Sequence, residues 1–107
     1  MWKAKFAPDA KADLKKLDKA FAKQVLKGIA KVRKNPLPRP DGYGKPLGNR
    51  QGNNLSGFLK IKLKSLGMRI VYKLIKIDGQ MLVVVIGARA DDEVYDTAKK
   101  RVEKHDI

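Results

Sequence analysis

Apolar and basic residues alternate from residue 2 to residue 6, with Trp2, Ala4 and Phe6 on one parity and Lys3 and Lys5 on the other, and Pro8 follows closely. This period of two predicts a short, half-buried strand that the proline ends. From Asp9 the period changes: Leu14, Leu17, Phe21, Val25, Ile29 and Val32 recur at steps of three or four, with lysines spread over the remaining faces. That is a helical stripe. Asp18 is a candidate N-cap, which predicts two helices forming an antiparallel hairpin, although the unbroken stripe is equally compatible with one long helix.

Asn35-Pro36 stops the helix, because the residue before a proline avoids the α region. Pro38, Pro40, Gly42, Gly44, Pro46, Gly48 and Gly52 then predict one irregular loop over residues 35–57. Loops of such length are either binding elements or mobile segments. Beyond it, Leu59, Ile61 and Leu63 alternate with Lys60, Lys62 and Lys64, a strand with one apolar and one basic face. Ile70, Tyr72 and Leu74 share a parity in the next strand, Asp78-Gly79 signals a hairpin turn, and the apolar run 81–86 reads as an interior strand covered on both sides. A last helix is expected from Asp91, as N-cap, to about Lys104, with Val94, Ala98 and Val102 as its packing stripe and Tyr95 beside it. The prediction is an α+β fold in the order β-α-α-β-β-β-α, in which an N-terminal strand and a helical hairpin pack on a small antiparallel sheet within a single domain over residues 1–107.

Charge changes the picture. The chain has 25 Lys and Arg against 11 Asp and Glu, a net charge of +14, and residues 1–57 hold 14 of the basic and 4 of the acidic residues. Such a field attracts polyanions or an acidic protein. There is no cysteine, which excludes disulfides, thiolate metal ligands and a cysteine nucleophile. Residues 1–6 carry no signal-peptide core and the longest apolar run is too short to span a bilayer, so a cytoplasmic protein without membrane association is expected.

Strand parity places the chemistry. If the apolar residues of the two strands share the core, Lys64 is expected opposite Arg69 and Lys62 opposite Val71, so that Lys60, Lys62, Lys64 and Arg69 line one face. Same-face residues lie about 6.5–7 Å apart, near the phosphate spacing of a nucleic-acid strand. The simpler reading is a solvated lysine face. Arg89 and Tyr95 stand where the last strand meets the last helix, and each has an equally simple reading as a surface or core-edge residue. Cutting RNA through its own 2′-hydroxyl requires a base, cations on the phosphoryl oxygens and an acid for the 5′-oxygen. Lysine crowded by cations loses its proton more readily and can take the base role. His105 is the only histidine and is expected in a frayed tail, which excludes a paired-histidine mechanism. Asp91, Asp92, Glu93 and Asp96 are read as helix-capping residues, not as metal ligands. No glycine-rich phosphate loop is present, and 7% aromatic residues do not make a multi-base stacking platform.

The segment Lys60-Ile61-Lys62-Leu63-Lys64-Ser65-Leu66-Gly67-Met68-Arg69-Ile70-Val71-Tyr72, with Gly87-Ala88-Arg89 and Glu93-Val94-Tyr95 after it, resembles the RelE family of bacterial type II toxin endoribonucleases. The likeness extends to Lys45-Pro46-Leu47, to residues 57–101 and, more weakly, to the basic helices. It implies a RelE-like fold and a toxin that enters the ribosomal A site, contacts ribosomal RNA, and cuts mRNA by 2′-hydroxyl attack, leaving a 2′,3′-cyclic phosphate and needing no metal or other cofactor. It also implies an acidic antitoxin of RelB type, whose complex with the toxin binds operator DNA. By that resemblance Lys60 and Lys62 are the paired lysines, one a base and one a phosphate ligand. Arg69 and Arg89 bind phosphate and stabilise the transition state, Tyr95 stacks on a base and assists the leaving group, and Lys64 contacts RNA. The neighbours of the second arginine, Ala88 and Asp91, carry less positive charge than in some members. The sister ParE-like branch, which inhibits DNA gyrase, and a non-catalytic basic RNA-binding protein remain as alternatives.

Overall fold

The computed structural model describes residues 2–50, 52–90 and 93–107. Its elements are β1 (Lys3–Phe6), α1 (Pro8–Lys15), α2 (Lys19–Val32), β2 (Lys45–Arg50), β3 (Asn53–Leu63), β4 (Met68–Ile75), β5 (Gln80–Ala88) and α3 (Val94–Lys104). The sequence left one helix or two open, and the structure has two. Asp18 caps α2 by accepting a 3.0 Å hydrogen bond from the Phe21 backbone N–H, satisfying one of the orphan donors of the first turn. Val25, Ile29 and Val32 are buried on the sheet with Leu14, Leu17 and Phe21 beside them.

The five strands lie in the order β1-β5-β4-β3-β2. Two expectations are corrected here. The sheet is not wholly antiparallel, because β1 runs parallel to β5, with Lys3 opposite Gln80 and Phe6 opposite Val83; alternation alone carries no information about a strand's partner. The segment 35–57 is not one irregular loop, because it contains β2 and the start of β3. Pro46 is tolerated since β2 is an edge strand, where a missing N–H leaves no ladder bond unmade. The β2–β3 register shifts between Pro46 and Gly48, and Gly57 at φ 86° supplies the backbone conformation that only glycine adopts readily.

The β3–β4 pairing also differs from the expected one by two residues. Lys62 lies opposite Arg69 and Lys60 opposite Val71, because Lys64–Leu66 form a 3-10 turn closed by left-handed Gly67, which removes Lys64 from the strand. A shift of two preserves parity, so the predicted faces are correct. Leu59, Ile70 and Tyr72 point with Met81, Val83 and Ile86 toward α1 and α2. The β4–β5 turn repeats the device with Lys76–Asp78 and left-handed Gly79.

The basic face is not simply solvated. Leu47, Leu55, Phe58, Val71, Val84 and Val85 pack there against Val94, Tyr95 and Ala98 of α3, each of the valine, leucine and phenylalanine side chains contributing about 1.5–3 kcal/mol. Val84 and Val85 both reach this side because the β4–β5 register shifts between Val71 and Tyr72, the signature of a β-bulge. The C-terminus is anchored and not frayed. Arg101 makes a bidentate pair with Asp13 of α1 at 2.6 and 2.9 Å and donates to Val84 O, while Asp13 also accepts from the Ile86 N–H. Two side chains thereby satisfy β5 backbone groups where β1 has ended. His105 lies 3.0 Å from Asp9, and this contact, foremost, holds the Asp9 carboxyl below its usual range. The expected N-cap Asp91, like Asp92, falls outside the described residues; α3 begins at Val94, after Glu93. Among the described residues no helix is long and apolar enough to cross a membrane.

Candidate active site

Lys60 sits in the middle of β3 and is only 5% exposed. A buried ammonium is costly unless something receives its protons, and here Nζ donates a 3.1 Å hydrogen bond to Tyr95 Oη. Burial first, then the cations Arg50, Lys45, Arg69 and Arg39, bring the Lys60 pKa down to about 8. At pH 7 about a tenth of the molecules then hold a neutral amine, against roughly one in three thousand for an ordinary lysine.

Tyr95 is placed by the first turn of α3, whose Val94 and Ala98 anchor the helix on the sheet. Its ring is met by Arg69 at 5.3 Å, Lys60 at 5.7 Å and Arg50 at 5.9 Å, distances at which a tyrosine face attracts cations. With the residue 6% exposed, Tyr95 as placed here presents its hydroxyl to the site, and no open face for a base.

Arg69 lies on β4 between Lys62 on β3 and Gly87 on β5. Gly87 lies against α3: a Cβ there would meet Val94 Cγ2 at 3.4 Å, an ordinary van der Waals contact. Arg69 Nε is buried and has no hydrogen-bond partner among the described residues, a donor in want of an acceptor. Arg89 is exposed, and its backbone N–H donates to Gly67 O at 2.8 Å, which fixes it beside the β3–β4 turn. Lys62, partly exposed, has its pKa lowered by Lys60 foremost, then by burial, Arg89, Lys45 and Arg69.

Lys60, Lys62 and Lys64 line a cleft of about 290 Å³ with Arg39, Tyr43 and Lys45. The structure therefore gathers Lys60, Lys62, Arg69, Arg89 and Tyr95, and puts Lys64, exposed in its turn, on the rim. Sequence reasoning missed Arg39, Tyr43, Lys45 and Arg50, all in the proline- and glycine-rich stretch. The available signal was their basic and aromatic character in a segment too long to be a mere connection. Lys45 stands directly opposite Lys60 in the ladder, a like-charge pair that costs stability unless an anion comes between. Of the acidic residues read as caps, Asp96 accepts from Asn53 Nδ2 at 2.6 Å. No group of three or more His, Cys, Asp or Glu suited to a metal ion occurs among the described residues.

The family model for the ParE toxin of type II toxin–antitoxin systems matches residues 4–93. An Escherichia coli protein described as a putative RelE-like toxin is 32% identical over 102 residues, covering 94% of this chain and 97% of its own. Among solved structures, a free mutant of E. coli toxin RelE superposes with a TM-score of 0.69 at 27% identity, covering 94% of this chain and 97% of that one. The same toxin in complex with a peptide of its antitoxin RelB gives 0.61 at 27% identity, over 91% and 93% of the two chains. With a helical hairpin and a terminal helix enclosing one mixed sheet, and with similarity along nearly its whole length, the chain belongs to the RelE/ParE family of type II toxins.

Proposed function

We propose that this toxin is a ribosome-dependent endoribonuclease that cuts mRNA in the A site without a metal. The observation that carries the reading is the Lys60–Tyr95 hydrogen bond at 3.1 Å, with Lys60 brought down to about 8 and arginines on both sides. Lys60 is the base: it is the buried lysine of the pair, while Lys62 faces the cleft more openly and binds phosphate. The neutral Lys60 amine takes the 2′-hydroxyl proton, the 2′-oxygen attacks phosphorus, and the bond to the 5′-oxygen breaks. The proton held by Lys60 passes through Tyr95 Oη to that leaving oxygen, giving a 2′,3′-cyclic phosphate and a 5′-hydroxyl. Arg69 and Arg89 stabilise the charge on the phosphoryl oxygens, and Lys64 contacts RNA from the rim.

An acidic antitoxin of RelB type, partly disordered when free, covers the basic surface or displaces α3 and Tyr95 with it. The toxin–antitoxin complex binds operator DNA. The net charge of +14 and the antitoxin peptide bound to the similar E. coli toxin support the acidic antitoxin. Mapping of cleavage on programmed ribosomes with wild type and Arg89→Ala tests the nuclease reading.

A further inference from the structure

Tyr95 keeps its ring inside the protein, yet the cleft does have an aromatic in the open. Tyr43 is 45% exposed and lines the cleft beside Arg39, Lys45, Lys60, Lys62 and Lys64. The segment bearing it is held rigidly. The Tyr43 N–H donates to Asn35 O at 3.1 Å, the Gly44 N–H to Leu37 O at 3.0 Å and the Arg39 N–H to Gly44 O at 2.8 Å. Asn35 Nδ2 donates to Asp41 O at 2.7 Å. From below, the buried Tyr72 hydroxyl donates to Pro36 O at 2.7 Å. A Cβ on Gly44 would strike that hydroxyl and Leu59 Cδ2, so this backbone rests directly on core side chains, and one on Gly42 would strike Leu37 O, where backbone lies on backbone. Lys31 Nζ stands 5.9 Å from the Tyr43 ring centroid.

We propose that Tyr43 and Arg39 form a nucleotide subsite of the cleft, Tyr43 stacking on one RNA base and Arg39, with Lys45, holding the phosphate attached to it. The inference rests on the nuclease reading for its choice of polymer, and adds to it a residue that positions the strand. The cleft, at about 290 Å³, lies at the lower end of small-ligand sites and has room for one nucleotide. An aromatic face among cations is what single-stranded nucleic acid requires of a protein. The like-charged pair Lys45 and Lys60, opposed in the ladder, is relieved when a phosphate lies between them. Tyr43 thereby supplies the stacking surface that the buried Tyr95 does not.

The test is binding of a fluorescent trinucleotide RNA, 2′-O-methylated throughout so that it cannot be cut, to the purified full-length protein at low salt. Tyr43→Ala is expected to weaken binding roughly 5- to 100-fold, and Tyr43→Phe, which keeps the ring, to bind within about twofold of wild type. Arg39→Ala weakens binding and lowers its salt slope by about one, whereas Lys5→Ala, exposed on β1 at the far edge of the sheet, changes nothing. Wild-type affinity in Tyr43→Ala, or no binding by the wild type, overturns the subsite. So does a Tyr43→Ala variant that loses affinity for an acidic peptide and keeps it for RNA. Tyr43-dependent RNA binding without cleavage on ribosomes overturns the nuclease reading and leaves the subsite standing. Arg89-dependent cleavage with full RNA affinity in Tyr43→Ala does the reverse.

Discussion

Lys60 Nζ reaches Tyr95 Oη at 3.1 Å, joining the middle of β3 to the first turn of α3 inside the molecule. The bond puts the amine and the phenol proposed as base and acid in contact beneath a surface of positive charge. Because the two residues come from different layers, anything that lifts α3 dismantles the pair without touching the sheet.

With Lys60 as the proposed base, its pKa of about 8 sets the pH dependence expected of cleavage. In that role the neutral amine is the active form, so the rate on saturated complexes is expected to rise about tenfold per unit below that value and to level off above it. A rate independent of pH between 6 and 8 removes Lys60 from the role of base.

The same depression works against stability. Below about pH 8 Lys60 is protonated in both folded and unfolded chains, and the folded state bears the whole penalty of a buried charge. Between that value and the unfolded pKa of ~10.4 the unfolded chain binds more protons, so this residue's contribution grows more favourable as pH rises. Lys60→Met is therefore expected to stabilise the protein at pH 7 by about 1–3 kcal/mol while abolishing cleavage. Urea unfolding at pH 7 and pH 9.5 checks this, the difference between the two proteins narrowing at the higher pH.

Tyr95→Phe keeps the buried ring and removes the hydroxyl. A loss of roughly 10²- to 10⁴-fold in the cleavage step is expected, with the fold intact by circular dichroism. Single-turnover cleavage close to the wild-type rate assigns Tyr95 to packing alone.

Asp13 serves α1, α3 and β5 at once, through Arg101 and the Ile86 N–H. Asp13→Ala takes the bidentate carboxylate from a largely buried guanidinium, leaving it Val84 O and the more distant Asp9 at 3.8 Å, and is expected to cost about 2–4 kcal/mol. The double variant with Arg101→Leu recovers part of this loss in a urea double-mutant cycle. Strict additivity contradicts the clasp.

How far such features can be read from sequence depends on the range of the interaction that makes them. The helical stripe, the Asp18 cap and the parity that puts Lys60, Lys62 and Arg69 on one face follow from local periodicity, and parity survives a register error of two residues. Lys60 is buried because α3 crosses the face it points to, and nothing near residue 60 announces that. Lys45 and Arg50 were hidden because Pro46 and Gly48 mask an edge strand. The pairing of Asp13 with Arg101 spans 88 residues and has no local signature at all. Arg39 and Tyr43 gain meaning only when Tyr72 is seen to pin their loop over the lysines.

The central claim is that this site cuts RNA on the ribosome. Primer extension on an mRNA carried by programmed ribosomes, with wild type, Arg89→Ala or no protein, tests it most directly. The expected result is a break within the A-site codon that needs both the ribosome and Arg89. Intact mRNA with folded wild-type protein, or an equal break with Arg89→Ala, contradicts it; inhibition of gyrase supercoiling by the same preparation then points to the other branch of the family.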